Sequence, residues 1–150
     1  MSIEDQVGLP EDYIMSDGLG AFGADYVITL RERANWGTDR NLEVWDRVIQ
    51  QSLASVGVFG RHGNMVGVGF LAGNERHAVL CDLVVHPSDR GLGIGKAIIR
   101  RRLQLAEQMK IPYLYTELAP TNNLSSFYEE LGFEATGKAY TRASRRHSLE

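Results

Sequence analysis

The chain is short of the residues that staple small domains together. Its 150 residues include one cysteine, Cys81. A lone thiol forms no internal disulfide and offers no zinc-site spacing. The four histidines, His62, His77, His86 and His147, match no metal-ligand pattern, so no metal is expected. Repeats, low-complexity tracts and interdomain linkers are also lacking. No apolar run approaches the ~20 residues that span a bilayer. Positive charge is not in excess either, since 16 Lys and Arg face 19 Asp and Glu for a net charge of −3. A mildly acidic chain has no global attraction for nucleic-acid phosphates. Neither nucleic acid nor a membrane is expected as a partner, and a cationic amine suits the charge better. Residues 1–12 carry acidic groups but no basic start or apolar stretch, which points to the cytoplasm.

What is present is an ordinary globular mixture, 43% hydrophobic and 23% charged. It reads as one domain over residues 1–150, with an irregular arm at 1–25 and a tail at 141–150. Residues 26–30, Tyr-Val-Ile-Thr-Leu, are β-rich and predict a first strand. Leu42, Trp45, Val48, Ile49 and Leu53 recur at helical spacing and predict a helix over 40–55. Apolar runs at 56–60 and 65–72 flank Arg61-His62-Gly63-Asn64, which reads as a hairpin turn. A third strand follows at 77–85, then a glycine-rich loop to residue 95 and a helix over 96–109. Residues 111–117 form another strand. A short helix ends at Leu131 with Gly132 as its stop, and 133–136 starts a last strand. The class is mixed α/β, or α+β. The segment 77–117 must be a parallel crossover, because a helix joins its strands. One residue fits poorly: Arg102 falls within the apolar face made by Ile98, Ile99, Ala106 and Met109.

The chemistry is first visible in Arg90-Gly91-Leu92-Gly93-Ile94-Gly95-Lys96. Glycines let successive N–H groups turn inward around an anion. A helix start adds unpaired N–H groups and partial positive charge, and Arg90 and Lys96 add full charges. The alternative is a plain glycine-rich connection. A dinucleotide fingerprint from Gly91 would need glycine at 96, and a Walker loop would need Ser or Thr at 97, where Ala97 stands.

Arg-Gly-Leu-Gly-Ile-Gly resembles the coenzyme A pyrophosphate motif of the GNAT N-acetyltransferase superfamily. Leu-Val-Val-His-Pro before it, at 83–87, is similar to the strand end of that family. Phe-Tyr-Glu-Glu-Leu-Gly-Phe, at 127–133, resembles its second hallmark. The resemblance runs from about residue 26 to 136. It implies a GNAT-type acyl-CoA N-acyltransferase fold, a mixed central sheet with splayed parallel strands flanked by helices. It implies acetyl-coenzyme A as co-substrate and an amine acceptor, in a monomer or homodimer. Backbone groups of Leu83, Val84 and Val85 should bond the pantetheine amides, with the Leu83 N–H facing the thioester carbonyl. Residues 90–96 should hold the pyrophosphate. Asn123 is either a cofactor contact or a helix cap.

The resemblance also places Tyr128 beside the leaving sulfur as general acid; packing on an amphipathic helix is its other role. A thiol of pKa about 8.5 against a tyrosine near 10 makes donation uphill by only about 2 kcal/mol. The attacking amine must be neutral, which for a lysine-like pKa of ~10.4 costs about 4–5 kcal/mol at pH 7. A base must offset that. Some relatives place Glu or His on the strand that is 77–85 here, but Val79 and Cys81 occupy the matching positions. Uniform alternation puts His77, Val79, Cys81 and Leu83 on one face and Asp82 and Val84 on the other. Asp82 is then the first candidate base, or a buried brace for the backbone. His77, Glu117 and a water relay are alternatives, and His86 is discounted. Trp36 and Trp45 lie in the segment expected to shape the acceptor site. A small-molecule amine acetyltransferase, a protein or peptide N-acetyltransferase and a non-catalytic coenzyme A-binding module all remain compatible with these residues.

Overall fold

The computed structural model describes residues 8–18, 20–37, 40–116 and 125–136. They fall into two compact units that divide after Glu117. The first holds a five-stranded sheet in the order β1-β2-β3-β4-β5: Ile14–Asp17, Ala54–Phe59, Met65–Gly73, His77–Val85 and Tyr113–Thr116. The first four strands pair antiparallel and β4 pairs parallel with β5. Helices α1 (Ala24–Arg33) and α2 (Leu42–Gln51) precede β2, and α3 (Ile94–Gln108) crosses from β4 to β5.

The sheet has a core on each face. On one, Val27, Ile28 and Leu30 of α1 and Trp45 of α2 pack with Val68, Phe70 and Val84. On the other, Ile94, Ala97 and Ile98 of α3 pack with Val56, Val58 and Val66. Helix α3 comes so close because β3 has no side chain where they meet. A Cβ on Gly67 would lie 2.9 Å from both Ile94 Cγ2 and Ile98 Cδ1. No described helix is long and apolar enough to cross a membrane.

Three expectations fail. Residues 26–30 are helical, inside α1. Ala24, Val27 and Ile28 are buried at helical spacing, Asp25 stands in the first turn, and Arg31 and Arg33 stand in the last, matching the helix dipole. A five-residue window shows the β-branched content and misses that period; burial against the sheet overrides local preference. The arm at 1–25 is not irregular throughout, since β1 pairs with β2 and buries Met15 while exposing Ile14. Residues 133–136 form no strand.

The second unit contains α4, Ser125–Glu130. Its C-terminus closes through Phe133 N–H to Tyr128 O (3.0 Å) and Gly132 N–H to Glu129 O (3.0 Å), with Gly132 at φ +94°. Only glycine takes that conformation cheaply. The Phe133 ring then meets the Tyr128 ring edge-on, centroids 5.5 Å apart. Thus Phe133 closes a helix instead of opening a strand.

Candidate functional site

The site begins with a fault in the β3–β4 ladder. Val68 pairs with Val84 and Phe70 with Cys81, so two residues of β4, Asp82 and Leu83, oppose the single Gly69. Asp82 sits at φ +53°, a conformation such bulges usually give to glycine. The extra residue reverses the alternation of β4. Cys81 and Val84 pack with the α1–α2 side, whereas Leu83 and Val85 pack with the α3 side. The expectation that Cys81 and Leu83 share a face is therefore corrected, because it assumed an unbroken strand.

The bulge also decides where the backbone groups point. His86 N–H donates to Val66 O at 2.7 Å. Antiparallel rungs alternate, so Val84 is turned toward β3, and the N–H groups of Leu83 and Val85 are turned toward the other edge. On that edge the described pairing with β5 runs from His77↔Tyr113 to Leu80↔Thr116. Residues 82–85 meet no strand there among the described residues. The Thr116 hydroxyl at the last rung is buried without a hydrogen-bond partner. Strand edges and an orphan hydroxyl are groups that an amide-bearing ligand satisfies.

Beyond Val85 the chain makes one 3₁₀ turn, Pro87–Asp89, and enters α3. Gly91 and Gly93 stand at φ +80° and +84°. Gly93 is the N-cap and supplies no side-chain cap to the first turn. A Cβ on Gly91 would meet nothing within 4 Å. Backbone turned in this way at an uncapped helix start is suited to a phosphate group. Leu92 is exposed and Ile94 is buried in the core beneath. Lys96 is exposed on the first turn, and Arg90 folds back, its Nε donating to Val85 O at 3.2 Å. The N-terminal segment borders the loop. Tyr13 donates to Asp89 at 2.5 Å, and that hydrogen bond, with burial, raises the phenol above its ordinary pKa. The Gly8 carbonyl would lie 3.2 Å from a Cβ on Gly93.

On the α1–α2 side, Arg31 approaches Asp82 at 3.6 Å. Its Nη2 donates to Trp36 O at 3.2 Å, and its guanidinium lies over the Trp36 and Trp45 rings, 5.4 and 4.6 Å from their centroids. Trp36 is 43% exposed and Trp45 is buried. The Asp82 side chain is 40% exposed, so it is not a buried brace. Arg31 was missed from the sequence, where it directly follows the strand expected at 26–30. His77 is drawn elsewhere, stacked on Tyr113 with centroids 4.8 Å apart. His86 caps the 3₁₀ turn by accepting from Ser88 N–H. Tyr128 lies on α4 and is 4% exposed. Asn123 and Glu117 lie outside the described residues. Among the described residues no group of three or more His, Cys, Asp or Glu is placed to hold a metal.

Comparison with known proteins agrees with this architecture. The family model described as acetyltransferase (GNAT) domain matches residues 22–147. An uncharacterized N-acetyltransferase, ycf52, of Pyropia yezoensis is 37% identical over 60 residues, which is 40% of this chain and 33% of that protein. The match thus spans a third of that relative's length. Among solved structures, AAC(6')-Iy in complex with the bisubstrate analog CoA-S-monomethyl-acetylneamine superposes with a TM-score of 0.68 at 18% identity. That match covers 87% of this chain and 96% of the other. The ribosomal-protein-S18-alanine N-acetyltransferase of Escherichia coli superposes at 0.67 and 19% identity, covering 83% and 79%. At these identities the likeness is one of fold.

The helix start gives a direct prediction. Gly95 has no positive φ, and a Cβ there makes ordinary contacts with Val85 and Leu83 at 3.6 and 3.9 Å. Gly95→Asp should fold, since an acid in the first turn favours a helix, but it should repel a phosphate. Coenzyme A at ~100 times its Kd should stabilise the parent protein by about 2.7 kcal/mol. Thermal melts of Gly95→Asp should show that shift largely lost. A full shift in the variant would remove the helix start from the phosphate site. Gly93 serves this test less well, because any side chain there is strained.

Proposed function

We propose that this chain, which belongs to the acetyltransferase (GNAT) domain family, moves an acetyl group from acetyl-coenzyme A to a primary amine of a small molecule. The amine attacks the thioester directly. One feature carries the proposal: the Asp82 bulge turns the Leu83 and Val85 amides toward an edge where no strand meets them among the described residues, one turn before an uncapped glycine-rich helix start.

Acetyl-coenzyme A supplies an activated acyl group and a thiolate leaving group. The chain supplies the surroundings. The backbone of residues 91–95, with Arg90 and Lys96, takes the pyrophosphate. Leu83 and Val85 bond the pantetheine arm, and Leu83 N–H donates to the acyl oxygen as negative charge gathers there. Val84 contributes its side chain to the core and its rung to β3 (a narrower part than the family resemblance gave it). Tyr128 donates to the departing sulfur. Asn123 stays a candidate cofactor contact. A cytoplasmic location fits this co-substrate and forms part of the proposal.

Asp82 is proposed to take the proton of the incoming ammonium, directly or through water. It is exposed, and Arg31 orients it from behind. Half-exposed Trp36 stands on the other side of the same guanidinium. A carboxylate and an indole within one arginine's reach suit a compact cation. Two partly exposed groups around one guanidinium favour an acceptor small enough to touch both. The solved structures with this fold include one bound to a small-molecule bisubstrate analog and one named for a ribosomal-protein alanine, so the choice rests on these two side chains.

Thiol release from acetyl-coenzyme A over a panel of small amines, amino sugars and peptides tests the proposal. Turnover of small amines above peptides supports it, and turnover of peptides alone contradicts it. Asp82→Asn is a clean variant, because asparagine tolerates positive φ nearly as well as aspartate. Its kcat/KM at pH 7 should fall on the order of 10²-fold. It should recover toward high pH as the amine deprotonates itself. A parent-like pH profile would exclude Asp82 as the base. In Tyr128→Phe the ring packing against Phe133 persists, so the loss should appear in kcat, about 10²-fold, with acetyl-coenzyme A affinity little changed. Equal turnover, with chemistry rate-limiting, would return Tyr128 to a packing role.

A further inference from the structure

Arg102 lies in the middle of α3 and is 1% exposed. A guanidinium stays charged at any ordinary pH, and burying one is unfavourable unless its donors are met. Its Nη1 donates to Phe70 O at 2.9 Å and to Cys81 O at 3.2 Å. Those two residues face each other on the last rung of the β3–β4 ladder before the bulge. The space for the guanidinium comes from Gly69, the residue opposite the bulge. A Cβ there would sit 2.9 Å from Arg102 Cζ and 2.8 Å from Ile98 Cγ2. An arginine reaching through a glycine gap therefore clamps both strands where their register shifts.

The Cys81 carbonyl belongs to the peptide that joins Cys81 to Asp82. Holding its oxygen holds the plane of that peptide, and so the backbone on which Asp82 turns to φ +53°. A non-glycine residue keeps such a conformation only when its surroundings over-determine it. Arg31 restrains the Asp82 side chain from one face of the sheet, and Arg102 restrains the preceding carbonyl from the other.

We propose that Arg102 is a positioning residue for acyl transfer. By holding the Phe70 and Cys81 carbonyls it fixes the bulge, and the bulge aims the Leu83 N–H. Only the last link, from that N–H to the acyl oxygen, rests on the acetyltransferase reading above.

The test is Arg102→Met, which keeps length and removes every donor. Relief of the buried charge and loss of its bonds to two carbonyls oppose each other, so Tm should shift little. The Leu83 amide resonance should move. Because the donor acts on charge that develops in the transition state, kcat should fall about 10- to 100-fold, the scale of a small misplacement. KM for acetyl-coenzyme A should change little. A folded Arg102→Met protein with parent kcat, a loss confined to KM, or an unmoved Leu83 amide would each overturn the proposal. Should that variant fail to fold, Arg102→Lys decides. A lysine ammonium ends about one bond short of Nη1, the atom that meets both carbonyls, so kcat should fall and the Leu83 amide should move. Parent values for both would overturn the clamp. If the parent protein turns over no amine, the acetyltransferase reading fails, and the Leu83 shift in Arg102→Met still decides whether the clamp exists.

Discussion

A single extra residue in β4 is the constraint on which the rest depends. It places Asp82 at a positive φ and turns Leu83 and Val85 away from the side chains that an unbroken strand would group them with. Among the described residues the β5 ladder reaches Leu80↔Thr116, and beyond it the bulge turns backbone donors to an edge beside a helix start. Sheets close their edges because unpaired N–H and C=O groups are costly. An edge opened in the middle of a sheet is strain held by its neighbours. The neighbours here are identifiable: glycine at 69, Arg102 Nη1 beneath, and Arg31 beside Asp82.

The same economy shapes the approach of α3. Gly67 and Gly69 put no side chain under Ile94 and Ile98, so these two residues lie close against β3. That contact sets where the first turn of α3 stands, directly after the open edge. The N-terminal segment completes the rim. Tyr13 bonds Asp89 in the turn before the glycines, and Leu9 and Tyr13 pack on the α3-side core. The glycine-rich loop is thus held from below by the sheet and from the side by the chain's own beginning.

Much of this was legible in the sequence. The bounds of β4, the hairpin before it, the crossover and the glycine loop carry local signals: β-rich runs, turn residues, and glycine before a helical period. What was not legible is non-local. The helical period of Ala24, Val27 and Ile28 extends beyond the β-branched window that suggested a strand. The bulge has no local marker, because Asp82 stands where glycine is usual. Its trace was a misfit elsewhere, an arginine on the apolar face of α3, and only the carbonyls of Phe70 and Cys81 make sense of it. Arg31 was overlooked for a related reason: with 26–30 read as a strand, it fell just past its end instead of on the last turn of α1.

In the proposed function the Asp82 bulge turns the Leu83 and Val85 amides toward a bound co-substrate. Amide resonances followed during titration with coenzyme A test it most directly. The account predicts large shifts at Leu83, Val85 and residues 91–95, with Val84 and His86, committed to β3, moving far less. Shifts of equal size at Val84 and Leu83, or a response that leaves residues 82–85 and 91–95 untouched, would contradict it.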